Sequence, residues 1–167
     1  MTAIDEIVYM LQEAFAGVGI EESNEGQSLL QNLRSVEAPM WRSVPEGGVR
    51  TIESIALHVG SCKVMYDEYA FGPGRLFWGE PGVQPWARGE APFDETIHWL
   101  EDVHGRFVEH VRALRDEDLA TPRPTNWGEL RETRWLISTI AQHDVYHAGE
   151  VNHLRSILAS NDDWRWG

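Results

Sequence analysis

The stretch Leu136–Leu158 constrains this chain more than any other. Its residues Leu136, Ile140, His143, His147, Glu150, Leu154 and Ile157 follow one another at spacings of 4, 3, 4, 3, 4 and 3. That is the repeat of a helix with one stripe packed against other helices. Ile137, Val151 and Leu158 widen the stripe, and no proline interrupts it. Two imidazoles and a carboxylate therefore stand where Leu or Ile is expected, and burying polar groups costs free energy unless they are paired or metal-bound. Side chains four apart lie one above the other on a helix, so His143 and His147 can offer two nitrogens to one cation. Two ligands seldom suffice, and a third has to come from another part of the chain.

Three further helices are predicted. Residues 3–17 carry Ile4, Val8, Leu11 and Phe15 on one stripe, with Thr2 as N-cap and Gly17 and Gly19 as the stop. Residues 52–70 follow the cap Thr51 with the seam Ile55, His58, Cys62, Met65, Tyr69, which places a third histidine on a seam. Residues 93–115 run through Phe93, Ile97, Leu100, His104, Phe107, Val111 and Leu114. A shorter apolar segment lies at Leu29, Leu30, Leu33 and Val36. The stretch 71–92 holds five glycines and four prolines with Trp78 and Trp86, a long loop patterned in aromatics. Residues 116–128 are a second irregular stretch, and no strand shows convincing alternation. The expected fold is all-α: one domain over 1–167, a four-helix bundle with an extra short helical segment near the N-terminus, a long loop between the second and third bundle helices, and a tail at 160–167.

Charge narrows the function. Twenty-seven acids against 14 bases give a formal net charge of −13, and only one base is a lysine, Lys63. Binding to nucleic acid or to an anionic membrane is mostly electrostatic, so neither is expected of this chain. There is no apolar run near the length of a membrane helix and no basic-then-apolar leader, which reads as a cytoplasmic protein. The single cysteine, Cys62, rules out an internal disulfide and a Cys-rich zinc module.

The chemistry that fits the seams is a mononuclear metal site at His58, His143 and His147, with positions left open for water or substrate. Imidazole suits zinc, nickel, iron and copper, so the residues leave the metal open. For each histidine taken alone the competing reading is a packed, hydrogen-bonded core residue. His104 also lies on a seam, either as a pocket or metal residue or as a packed, hydrogen-bonded one, whereas His98, His110 and His153 fall off the seams and read as solvated. Cys62, one turn after His58, reads as a small buried thiol rather than a soft ligand. Glu150 is the candidate to orient an imidazole or to act as a general base, against a rim carboxylate paired with arginine. Two other motifs come close. His143-Asp144-Val145-Tyr146-His147 has the zincin spacing, but Asp stands where the catalytic Glu belongs. Glu95/His98, Glu101/His104 and Glu150/His153 match the di-iron spacing, yet at most one member of each pair lies on its seam.

At this point the sequence resembles the DinB-like (YfiT-like) proteins. The resemblance rests on Ser-Leu-Leu-Gln-Asn-Leu at 28–33, Thr-Ile-Glu-Ser-Ile-Ala-Leu-His at 51–58, and Gln-His-Asp-Val-Tyr-His-Ala-Gly-Glu-Val at 142–151, the last being the most specific. It implies a divalent metal, commonly zinc or nickel, held by His58, His143 and His147, and a homodimer in which Trp164 or Trp166 can take part. It also implies a metalloenzyme acting on a small molecule. Relatives of this kind include transferases and isomerases that use a low-molecular-weight thiol as cosubstrate, and others look like metal-dependent hydrolases. Transfer of a thiol is the favoured expectation, with a hydrolase or a non-catalytic metal-binding bundle as alternatives. Tyr146 is a candidate proton donor or pocket wall, and Trp78, Trp86, Trp127 and Trp135 are candidates to wall the pocket mouth. The long Trp-bearing loop at 71–92 departs from the family pattern.

Overall fold

In the computed structural model, which describes residues 2–17 and 28–161, two of the four long helices begin at side-chain caps. α1 spans Ala3–Ala16; the Thr2 hydroxyl accepts from Asp5 N–H while the Asp5 carboxylate accepts from Thr2 N–H, and Gly17 closes the helix at φ 69°. The short α2 spans Leu29–Arg34 behind a Ser28 cap. α3 spans Ile52–Phe71 behind the Thr51 cap, α4 spans Phe93–Arg112, and α5 spans Thr133–Ala159. Trp164, Trp166 and Gly19 lie outside the described residues.

The expected all-α class is correct in outline, with one correction. β1, Pro122–Pro124, pairs antiparallel with β2, Leu130–Glu132, in the register Arg123↔Arg131. Strands of three residues are too short to display an alternating pattern, so periodicity does not reveal them. Arg123 locks this ribbon to the helices: Nε donates to Thr133 Oγ1 at 2.9 Å, Nη1 donates to Ala70 O at 3.0 Å, and the guanidinium lies over Phe71. The third long helix also stops earlier than expected, at Arg112 rather than 115.

The four long helices touch in a closed order, α1 against α4, α4 against α3, α3 against α5 and α5 against α1. Two apolar clusters fill the space between them. One gathers Phe15, Leu29, Leu33, Trp41, Ile55, Val59, Leu100, Ala148 and Val151; the other gathers Val8, Leu11, Phe107, Val111, Ile137 and Ile140. α3 is the most enclosed helix, because the 72–92 loop packs over the side its neighbours leave open. That loop is pinned at several points. Buried Glu53 accepts from Gly89 N and Ala91 N, both at 2.8 Å, and Ala91 O accepts from Trp41 Nε1 at 2.9 Å and from Arg42 Nη2 at 2.8 Å. No described helix is long and apolar enough to cross a membrane.

Candidate metal centre

α5 positions two of these three histidines, and its geometry explains why His143 sits at a rim. A repeat of 3.5 residues drifts by about 20° per heptad around a straight helix. Leu136 and Ile140 are fully buried, but towards the C-terminus burial passes to Ala148, Val151 and Arg155, while Leu154 is half-buried and Ile157 is exposed. His143 and Glu150 therefore end half-buried, and His147 is buried. On α3, His58 is half-buried and faces them.

The three rings meet through one nitrogen each. His143 Nε2 lies 3.2 Å from His58 Nε2 and 3.1 Å from His147 Nε2. Tetrahedral ligands at the usual zinc–nitrogen length of about 2.0–2.1 Å stand about 3.3 Å apart, and octahedral neighbours about 3.0 Å. The observed separations fall between these values, so the trio fits a cation of either geometry. Among the described residues, His58, His143 and His147 form a group that could hold a metal ion.

The electrostatics suit a cation as well. Burial is the main force lowering the pKa of all three rings; for His143, burial followed by the charges of His147 and His58 brings it to about 3. All three are therefore neutral near pH 7, the form that ligates a metal. Glu150 is bonded through both oxygens, to an imidazole and to an arginine. Its Oε2 accepts from His147 Nδ1 at 2.7 Å, which fixes the tautomer so that Nε2 presents a lone pair to the cluster, and its Oε1 accepts from Arg50 Nη1 at 2.8 Å.

The remaining candidates lie elsewhere. Cys62 Sγ is 3.8 Å from both His58 ring nitrogens, but burial pushes its pKa up to about 11 and keeps it a thiol. His104 is buried apart from the trio, stacked on Phe15 with ring centroids 3.9 Å apart, and neither ring nitrogen has a hydrogen-bond partner. The hydrogen bond expected for it as a packed residue is absent. In the di-iron pattern, Glu101 is taken by Arg34, and Glu95, His98 and His153 are exposed. His110 is exposed but bonds Asp67 at 2.7 Å. Tyr146 is 71% exposed; its ring edge meets His147, and it lines a groove with Tyr9, Met10 and Val145 between α1 and α5. Ring contacts of the expected mouth tryptophans run to other residues: Trp86 to Trp99, and Trp127 to Tyr66 and Trp135. Trp78 is exposed.

One buried pair went unread in the sequence. Lys63 Nζ and Asp144 Oδ2 are 2.5 Å apart, with no exposed surface on either side chain. The signal was the single lysine, placed among Cys62, Val64 and Met65.

A family model of the DinB superfamily matches residues 24–151, which takes in α2 through most of α5 and all three histidines. The chain belongs to the DinB superfamily. No curated protein matches it. Membership in the DinB superfamily, whose members commonly bind metal, and the meeting of the three Nε2 atoms thus rest on independent grounds.

Proposed function

We propose that this DinB-superfamily protein is a metal-dependent enzyme built as a four-helix bundle, in which His58, His143 and His147 hold one zinc or nickel ion. The single observation behind this is the convergence of the three Nε2 atoms, with separations of 3.1 and 3.2 Å. Three protein ligands leave positions open, as catalytic rather than structural sites do. When bound, such a cation supplies Lewis acidity that lowers the pKa of a thiol or water.

The residues around the trio favour a thiol as the nucleophile. Both oxygens of Glu150 are engaged, one by His147 and one by Arg50. Glu150 is also the one acidic group, among the described residues, whose charge raises the pKa of His58 or His147. Among the described residues, no other carboxylate thus stands beside His58 or His147 to take a proton from water. A thiol, with an ordinary pKa near 8.5, loses its proton to solvent with far less help. The reaction is then substitution or ring opening. The thiol proton leaves to water, the sulfur lone pair forms a bond to an electrophilic carbon, and the carbon–halide or carbon–oxygen bond breaks with its electrons going to the leaving atom; an opened epoxide oxygen takes a proton from water. His147, held by Glu150, and His143 keep the site in register, and Tyr146 stands at its outer edge. A homodimer is part of this proposal, and light scattering tests it.

The test combines metal content and turnover. Protein purified without a His-tag is expected to carry about one zinc or nickel per chain by mass spectrometry, and His143→Ala is expected to lose it. The loaded protein is then mixed with glutathione, bacillithiol or mycothiol and a chlorinated or epoxide substrate. Conjugation above the apo-protein rate that disappears in His147→Ala supports the proposal. Ester or amide cleavage that needs no thiol and disappears in the same variant would replace it with a hydrolase.

A further inference from the structure

We propose that the small molecule taken at the three-imidazole site carries a carboxylate, and that Arg50 and Arg88 hold it. This rests on the reading of His58, His143 and His147 as a cation site. The chain as a whole is strongly acidic, with a formal net charge of −13, but its charge beside the trio has the opposite sign.

Arg50 stands one carboxylate away from the His147 ring. Its Nη1 donates to Glu150 Oε1 at 2.8 Å while Glu150 Oε2 accepts from His147 Nδ1 at 2.7 Å. Its charge opposes protonation of all three rings. That bond occupies one of the five donors a guanidinium has, and the side chain is 40% exposed.

Arg88 comes from the 72–92 loop, and the end of that loop is held in place. Its neighbour Gly89 donates to buried Glu53 at 2.8 Å, and Ala91 N–H donates to the other oxygen of the same carboxylate at 2.8 Å. The backbone beside Arg88 is thereby tied to the first turn of α3, the helix that carries His58, and the Arg88 charge also opposes protonation of that ring. The residue is exposed.

Two guanidinium groups against one carboxylate leave the mouth with a single net positive charge before any cation is counted. A monoanion balances that charge, and a dianionic phosphate overshoots it. The carboxylate is also the planar partner that a guanidinium fork takes through two parallel hydrogen bonds. In an otherwise negative protein, such a mouth concentrates anions over neutral molecules.

The test uses the full chain loaded with cobalt(II), whose visible bands report ligand binding without turnover. The probes are 3-mercaptopropionate and its methyl ester, which differ only in the anion. Binding of the acid about tenfold more tightly than the ester is expected, with the preference shrinking at high salt and in Arg88→Gln. A cation alone also favours an anion, so the variant decides: an acid preference unchanged in both Arg88→Gln and Arg50→Gln overturns the inference, as does equal binding of acid and ester. If neither probe raises a sulfur-to-cobalt band, the thiol reading of the function fails by itself. Succinate against its dimethyl ester, followed in the cobalt bands, then decides the carboxylate: tighter succinate binding lost in Arg88→Gln supports it, and equal binding overturns it.

Discussion

Lys63 on α3 and Asp144 on α5 form an ion pair with no side-chain surface left in solvent, Nζ 2.5 Å from Oδ2. Burial pushes the lysine pKa down and the aspartate pKa up, and their mutual attraction opposes both shifts. Asp144 directly follows His143, and Lys63 lies between Cys62 and the buried Val64 and Met65. The pair therefore fastens the two histidine-bearing helices to each other beside the trio.

Removing one partner strands a buried charge, whereas removing both does not. Lys63→Ala is expected to cost about 3–5 kcal/mol in urea unfolding, and the double variant Lys63→Met with Asp144→Leu is expected to recover most of that loss. A single variant as stable as the parent would show that the pair contributes nothing. The cost is a folding cost, so it is measured on the metal-free protein.

Glu150 bonds His147 Nδ1, so it would act on a bound cation through that ring and not by touching it. Glu150→Ala frees the Nδ1 proton of His147 and releases Arg50, so zinc affinity is expected to fall by about 10–100-fold. Glu150→Gln keeps an acceptor for Nδ1 without its charge, and its loss is expected to be smaller. Competition with a chromophoric chelator measures both. Equal affinity in the alanine variant and the parent would leave Glu150 a rim carboxylate serving Arg50 alone.

The sequence made the trio legible because His58, His143 and His147 occupy seam positions on two helices, and the caps it marks, Thr51 on α3 and Thr2 and Gly17 on α1, all close as expected. Its limits have physical causes. A lysine in a helix ordinarily reads as solvated, so a pattern of apolar spacings gives no reason to bury Lys63; its partner on another helix is set by tertiary packing. The drift of a 3.5-residue repeat, which sets His143 and Glu150 at the rim, depends on how far α5 runs straight, and that is a property of the folded helix. The expected hydrogen bond of His104 failed because its ring is buried flat against the Phe15 ring, which offers no partner.

His104 makes the fold acid-sensitive. Burial lowers its pKa from an ordinary 6.5 to about 2, with the Lys63 charge adding to the effect. Between those values the unfolded chain binds the proton and the folded chain does not, so unfolding takes up a proton and stability falls as pH falls, by about 1.4 kcal/mol per pH unit. Above pH 6.5 neither state is protonated and the penalty vanishes. His104→Phe keeps an aromatic ring against Phe15 and removes the titration. The variant is expected to gain about 2–3 kcal/mol on the parent between pH 7.5 and pH 4.5, read from urea midpoints at each pH. Parallel losses in the two proteins would place the acid sensitivity elsewhere.

At Gly60, α3 lies directly against a side chain of α4. A Cβ built there would lie 2.2 Å from Trp99 Cζ3 and 2.3 Å from Cη2, inside any real contact distance. Trp99 in turn meets Trp86 edge to face, with centroids 6.0 Å apart, so the absent methyl lets one tryptophan lie on the helix and hold the loop that follows. Gly60→Ala must push Trp99 outward. Helix propensity favours alanine by about 1 kcal/mol, but overpacking against an indole costs about 1–3 kcal/mol, and the clash is expected to prevail. The displaced ring also loosens Trp86 and the 72–92 loop, so limited proteolysis is expected to cut within that loop faster than in the parent. If the alanine protein is stabilised and its loop is cut no faster, Trp99 does not anchor the loop.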